Sequence, residues 1–110
     1  MAKQPNPTEE LSPFAAPALV VLATLADGPK HGYAIMQESE RLSGQALGPG
    51  TLYAALARLE RRGLIEAIPS DDRRRPYRLT GLGATTLQAH LDQLQSFTRQ
   101  ARHRLEGGVA

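Results

Sequence analysis

At 110 residues the chain holds one small domain, with the 41% hydrophobic and 22% charged residues of an ordinary globular protein. It has no cysteine, which excludes disulfides and thiolate metal sites and fits a reducing compartment; the cytoplasm is the expected location. The net charge of +2 is modest, but seven arginines against four acids fall within residues 58–78, and the rest of the chain is slightly acidic.

Residues 1–12 are polar and Pro-rich, carry two glutamates and read as a mobile arm rather than a signal peptide. A first helix is expected from Pro13 or Pro17 through Ala26, a segment with no charge on any side. A helix apolar all round must be buried on more than one face. In so small a domain the second face is expected to meet another subunit, which places Phe14, Leu19 and Leu22 at a dimer contact. The run is too short to span a bilayer, which needs ~20 residues, so no membrane partner is expected. Asp27-Gly28-Pro29 then breaks the chain.

A second helix is expected from about His31 to Leu42, ended by Ser43-Gly44, with Tyr33, Ile35, Met36 and Leu42 as its buried side. Lys30 and His31 lie at its start, where a phosphate can sit, so Lys30 joins the candidate DNA contacts. The third helix runs from the breaker Gly48-Pro49-Gly50 to Arg62-Gly63. Pro49 suits a first helical position and Gly63 the residue after a helix end. Leu52, Leu56 and Leu59, with Ala55 beside them, recur at helical period. Rotation by ~100° per residue puts Gly50, Ala54, Ala57, Arg58 and Arg61 on the opposite face, flanked by Thr51 and Tyr53. Small residues permit close approach to a polyanion, and arginines reach base edges or phosphates. The bland alternative is an amphipathic surface helix with solvated arginines.

Leu64 to Ile68 is a short β-prone run, Pro69 to Asp72 a turn, and Arg73, Arg74 and Arg75 form a basic tip before a returning strand, Tyr77 to Leu79. Three arginines on a hairpin directly after an Arg-bearing helix describe a DNA-binding wing. Thr80 suits an N-cap for a last helix from Gly81 to about Leu105. Ala84, Leu87, Leu91, Leu94, Thr98, Ala101 and Leu105 recur in steps of three and four, the pattern of a helix packed lengthwise on another, and Phe97 widens that face. The expected fold is mainly α with a small β-hairpin: an arm (1–12), a winged helix-turn-helix head (13–80) and a long C-terminal dimerisation helix (81–106). The interface would comprise Phe14, Leu19, Leu22, Leu87, Leu91, Leu94, Phe97 and Ala101.

No enzyme, cofactor or metal site is expected. His31, His90 and His103 lack metal-ligand spacing, the Gly-Pro-Gly lacks the Lys-Ser/Thr of a phosphate-binding loop, and no nucleophile motif is present. Double-stranded DNA and a second copy of the chain are the expected partners. The alternative is a winged-helix module that binds protein without specific DNA readout.

Three stretches, LVVLATLADGPKHGYAI (19–35), GPGTLYAALARLERRGLIE (48–66) and YRLTGLG (77–83), together resemble the PadR family of bacterial transcriptional regulators. The resemblance covers residues 15–105, and its single C-terminal helix is similar to the compact subfamily. It implies a winged helix-turn-helix, a homodimer built with the last helix, and an inverted-repeat operator, usually under repression. The third helix would be the recognition helix, with Gly50, Thr51 and Tyr53 near backbone and bases and Arg58 in reach. Arg73 to Arg75 would meet phosphate or the minor groove, and Tyr33 would pack beneath the third helix. Some compact members hold planar drug-like molecules stacked on tryptophans, which this chain lacks. Phe14, Phe97 and the first helix would then line any pore for a small apolar effector.

Overall fold

The computed structural model describes residues 16–71 and 74–108. In chain order the elements are α1 (Pro17–Thr24), α2 (Gly32–Ser43), α3 (Pro49–Arg61), β1 (Ile65–Ala67), β2 (Tyr77–Leu79) and α4 (Gly81–Gly108). Phe14 and Arg73 lie outside the described residues, as does the whole of the expected arm.

Helix α1 starts on Pro17 and ends two residues earlier than its apolar run. Its end tightens: the Leu25 amide is shared between Val21 O at 3.3 Å and Leu22 O at 3.2 Å, and the Ala26 amide turns back by three residues to Ala23 O at 3.2 Å. Helix α2 closes on Gly44 at φ 72°. Helix α3 ends in a Schellman motif: the Gly63 amide donates to Glu60 O and the Leu64 amide to Leu59 O, each at 3.0 Å. That geometry requires the φ of 76° that Gly63 adopts.

The core joins Val21, Leu22 and Leu25 of α1 and its end, Ile35 of α2, the Leu52–Ala55–Leu56–Leu59 stripe of α3, Ile65 of β1 and Leu87 of α4. Leu22 and Leu87, expected at a dimer interface, are thus consumed by the head itself: α4 lays its first turns across the head, and both leucines close the gap. Helix α2 also departs from expectation. It buries Ile35 and Ser39, while Tyr33 and Leu42 are 66% and 58% exposed. Tyr33 precedes Ile35 by two residues, about 160° around the helix, so both cannot face the core. Leu42 shares the face of Ile35 but sits on the last turn, where it is left uncovered.

Strands β1 and β2 pair antiparallel, with Ile65 opposite Leu79, Glu66 opposite Arg78 and Ala67 opposite Tyr77. Two strands alone are marginal. Here Lys30, two residues before α2, adds an isolated antiparallel bridge to β2: the Lys30 amide donates to Tyr77 O at 3.0 Å, and the Tyr77 amide returns to Lys30 O at 2.8 Å. Thr80 caps α4, its Oγ1 accepting from the Gly83 amide at 3.0 Å while donating to Gly63 O at 2.6 Å. Beyond Leu87, α4 leaves the head with Leu91, Phe97 and Leu105 exposed. Among the described residues no helix is long and apolar enough to cross a membrane, and no cluster of His, Asp or Glu could hold a metal.

Candidate nucleic-acid interface

The surface of α3 is divided as its sequence period predicts. Leu52, Ala55, Leu56 and Leu59 are buried, and Gly50, Thr51, Tyr53, Ala54, Ala57, Arg58 and Arg61 are exposed. No side chain caps the start of the helix, whose N-cap is Gly48 and first residue Pro49. The amides of Gly50 and Thr51 therefore present the positive end of α3 to whatever approaches it.

Beside that end lies a concavity of about 760 Å³. The first turn of α2 forms one wall with His31, Gly32 and Tyr33. Tyr53 of α3 stands opposite, and the hairpin closes the third side with Arg74, Arg75 and Tyr77. Tyr33 Oη accepts from Gln37 Nε2 at 3.1 Å, which holds the phenol outward. Burial pushes the Tyr77 phenol above its ordinary pKa; Glu60 and Tyr53 add to this and Arg75 opposes it, so Tyr77 remains a donor at neutral pH. His31 lies where the sequence places it, at the phosphate-favouring start of α2, whereas Tyr33 and Tyr77 are additions to this face. The signal for Tyr33 was its place on the side of α2 opposite Ile35.

Lys30, a sequence candidate for DNA contact, serves the fold instead. Its Nζ donates to Thr24 O at 2.6 Å, pairs with Asp27, and stands 3.5 Å from Glu38 Oε2, with 13% of the side chain exposed. Burial alone would lower its pKa. The hydrogen bond to Asp27 and the charges of Glu38 and Asp27 outweigh this, and the pKa rises. The hydrogen bond and charge of Lys30 in turn hold the Asp27 carboxyl below its usual range. Stability from Asp27 is present above the unfolded carboxyl pKa and lost as acid takes pH through the folded one. Stability from Lys30 is lost only as pH rises through its raised value. Lys30→Met is expected to cost about 1–2 kcal/mol in thermal or urea unfolding through the bond to the Thr24 carbonyl alone. The salt dependence of DNA binding should stay unchanged; a flatter slope would return Lys30 to the interface. Arg78 is likewise committed, its Nε lying 2.6 Å from Glu66 Oε1 across the strands. Among the described residues no carboxylate pairs with Arg58, Arg61 or Arg75.

A three-helix head whose third helix is open at its N-terminus, followed by a two-stranded basic hairpin packed on it, is a winged helix-turn-helix. The chain belongs to the PadR-like family of transcriptional regulators, a family of regulators and not of enzymes, which it matches over residues 21–89. It is similar to Transcriptional regulator Rv3488 of Mycobacterium tuberculosis, with 36% identity over 89 residues, 78% of this chain and 82% of that one. Identity is 50% over 70 residues, 64% of this chain, with a 37.1 kDa protein in transposon TN4556 of Streptomyces fradiae. The match spans only 20% of that longer relative. Among solved structures, a PadR family transcription regulator from Clostridium difficile R20291 superposes with a TM-score of 0.70 at 25% identity, covering 80% of this chain and 96% of the other.

Proposed function

We propose that the protein is a dimeric, sequence-specific DNA-binding repressor acting on an inverted repeat in the cytoplasm. The observation that carries this reading is the uncapped start of α3, flanked on one side by its small-residue and arginine face and on the other by the tyrosine- and arginine-lined concavity. In a major groove, Ala54 and Ala57 face thymine methyls, and Arg58 and Arg61 reach guanine edges or phosphates. Gly50 and Thr51 bring backbone amides to the phosphate chain, and the concavity takes the next stretch of that chain between Tyr33, Tyr53 and Arg75. Two such heads sit about 34–36 Å apart, one turn of DNA.

A seat for the second copy is supported by the groove of about 400 Å³ between α1 and α4, lined by Ala16, Leu19, His90, Gln93, Leu94 and Phe97. Leu19, Leu94, Phe97, Leu91 and Ala101 remain from the sequence-predicted interface, and the exposed side of α4 continues the groove outward. A small apolar effector at the edge of that contact would act by binding one arrangement of the two heads more tightly than the other.

The test is selection of genomic fragments by the purified protein near physiological salt, followed by sequencing. A few sites sharing an inverted repeat are expected. Equal recovery of all fragments would replace this reading with a non-specific DNA-binding winged helix, and recovery of none with a winged-helix module that binds protein. On a recovered site, replacing Arg74 and Arg75 together by alanine is expected to weaken binding on every sequence. It should also reduce the log–log salt slope by about 1.8, two phosphate contacts. An unchanged slope removes the hairpin from the interface.

A further inference from the structure

We propose that Gly32 is a positioning residue for Tyr53: the bare backbone at the first turn of α2 is the seat on which that ring rests, and it sets where the phenol meets the phosphate chain. The inference rests on the DNA-binding reading above. Gly32 does not take a positive φ, unlike Gly28, Gly44 and Gly63, so backbone conformation does not call for glycine there. What Gly32 does is leave room beside Tyr53. A Cβ built on Gly32 would stand 3.4 Å from Tyr53 Oη, 3.5 Å from Cε1 and 3.7 Å from Cζ. The ring of an α3 residue therefore lies within contact reach of any side chain at the start of α2, although Tyr53 is 58% exposed and not part of the core.

Tyr53 shares its concavity with Tyr33, Tyr77 and Arg75, so the angle of its ring decides whether its hydroxyl points among these groups or away from them. An alanine methyl fits against the ring at ordinary contact distance. Valine crowds the ring, because its two γ-methyls reach beyond a Cβ position that already stands at contact distance. The Tyr53 ring must then turn, while the buried stripe of α3 stays in place.

The experiment is a double-mutant cycle on operator DNA. Gly32→Ala is expected to change affinity by less than about twofold, and Gly32→Val to weaken it about tenfold with the melting temperature nearly unchanged. In a Tyr53→Phe background, which lacks the hydroxyl to be aimed, Gly32→Val should cost no more than about twofold. An equal loss in both backgrounds overturns the proposal, because a general disturbance of α2 would not depend on the Tyr53 hydroxyl. Should Gly32→Val fail to fold, Gly32→Ala supplies the second readout: the Tyr53 ring Cε–Hε resonances in the free protein should shift, and unshifted resonances would also overturn it. Failure of the unmodified protein to bind duplex DNA would remove the DNA reading alone, since the ring resonances still report the contact.

Discussion

Gly83→Ala is expected to destabilise the protein by about 3 kcal/mol, the upper part of the range for overpacking a filled site, and to lower its melting temperature by on the order of 15 °C. A Cβ at Gly83 would stand 1.9 Å from Leu64 O and 2.9 Å from Leu64 C, both backbone atoms that no rotamer change can move. The close approach is fixed from both sides. The Thr80 amide donates to Leu64 O at 3.1 Å, and the Thr80 hydroxyl donates to Gly63 O at 2.6 Å, so the first turn of α4 cannot back away without breaking these bonds. Leu79 Cδ2, 3.2 Å from the added carbon, blocks a sideways shift. Calorimetry at fixed protein concentration, with Gly107→Ala as the control, measures the effect. A Cβ at Gly107 meets nothing within 4 Å, so that change should leave the melting temperature alone or raise it slightly. Equal melting of the two variants would mean that α4 does not start against Leu64.

If the proposed dimer forms through α4, Phe97→Glu is expected to separate it while each chain stays folded. Phe97 is 70% exposed and ten residues beyond Leu87, so the head loses nothing by the change. In the proposed dimer the same position would place a carboxylate in an apolar seam beside Leu94 and Leu19, at the cost of taking its charge out of water. Light scattering at micromolar concentration should report a mass near that of one chain, 11.9 kDa, with the circular dichroism of the unmodified protein. Affinity for an inverted repeat should fall roughly 100-fold or more, because the two half-sites no longer share one linked ligand. Retained dimer mass would place the interface elsewhere on the chain.

The two residues that define α3, Pro49 at its start and Gly63 after its end, were legible because each has a local reason to be there, a missing N–H and a positive φ. The Thr80 cap and the hairpin strands were legible for the same kind of reason. What local pattern could not reveal were the partners supplied by distant chain. Lys30 reads as a free cation until Thr24 and Glu38 are brought to it by the turn before α2. Its backbone rung with Tyr77 leaves no periodic trace, being one residue long. Leu22 and Leu87 fit a dimer seam as well as they fit a core, and only the angle at which α4 leaves the head decides between them. Tyr33 carries both an apolar ring and a hydroxyl, so period alone did not tell which end of it mattered.

The hydroxyl of Thr80 ties the end of α3 to the start of α4, and Gly83 lets the two backbones touch. Head and helix therefore turn together, and α4 works as a crank arm. Its 28 residues make an arm about 42 Å long at 1.5 Å per residue. Were two heads carried on paired arms, as proposed, a swing of about 5° would sweep each head through ~4 Å, close to the ~3.4 Å of axial rise per phosphate of a strand. A wedge of a few degrees between the arms would then match one base pair of operator spacing, enough to put a matched pair of heads out of step with the groove.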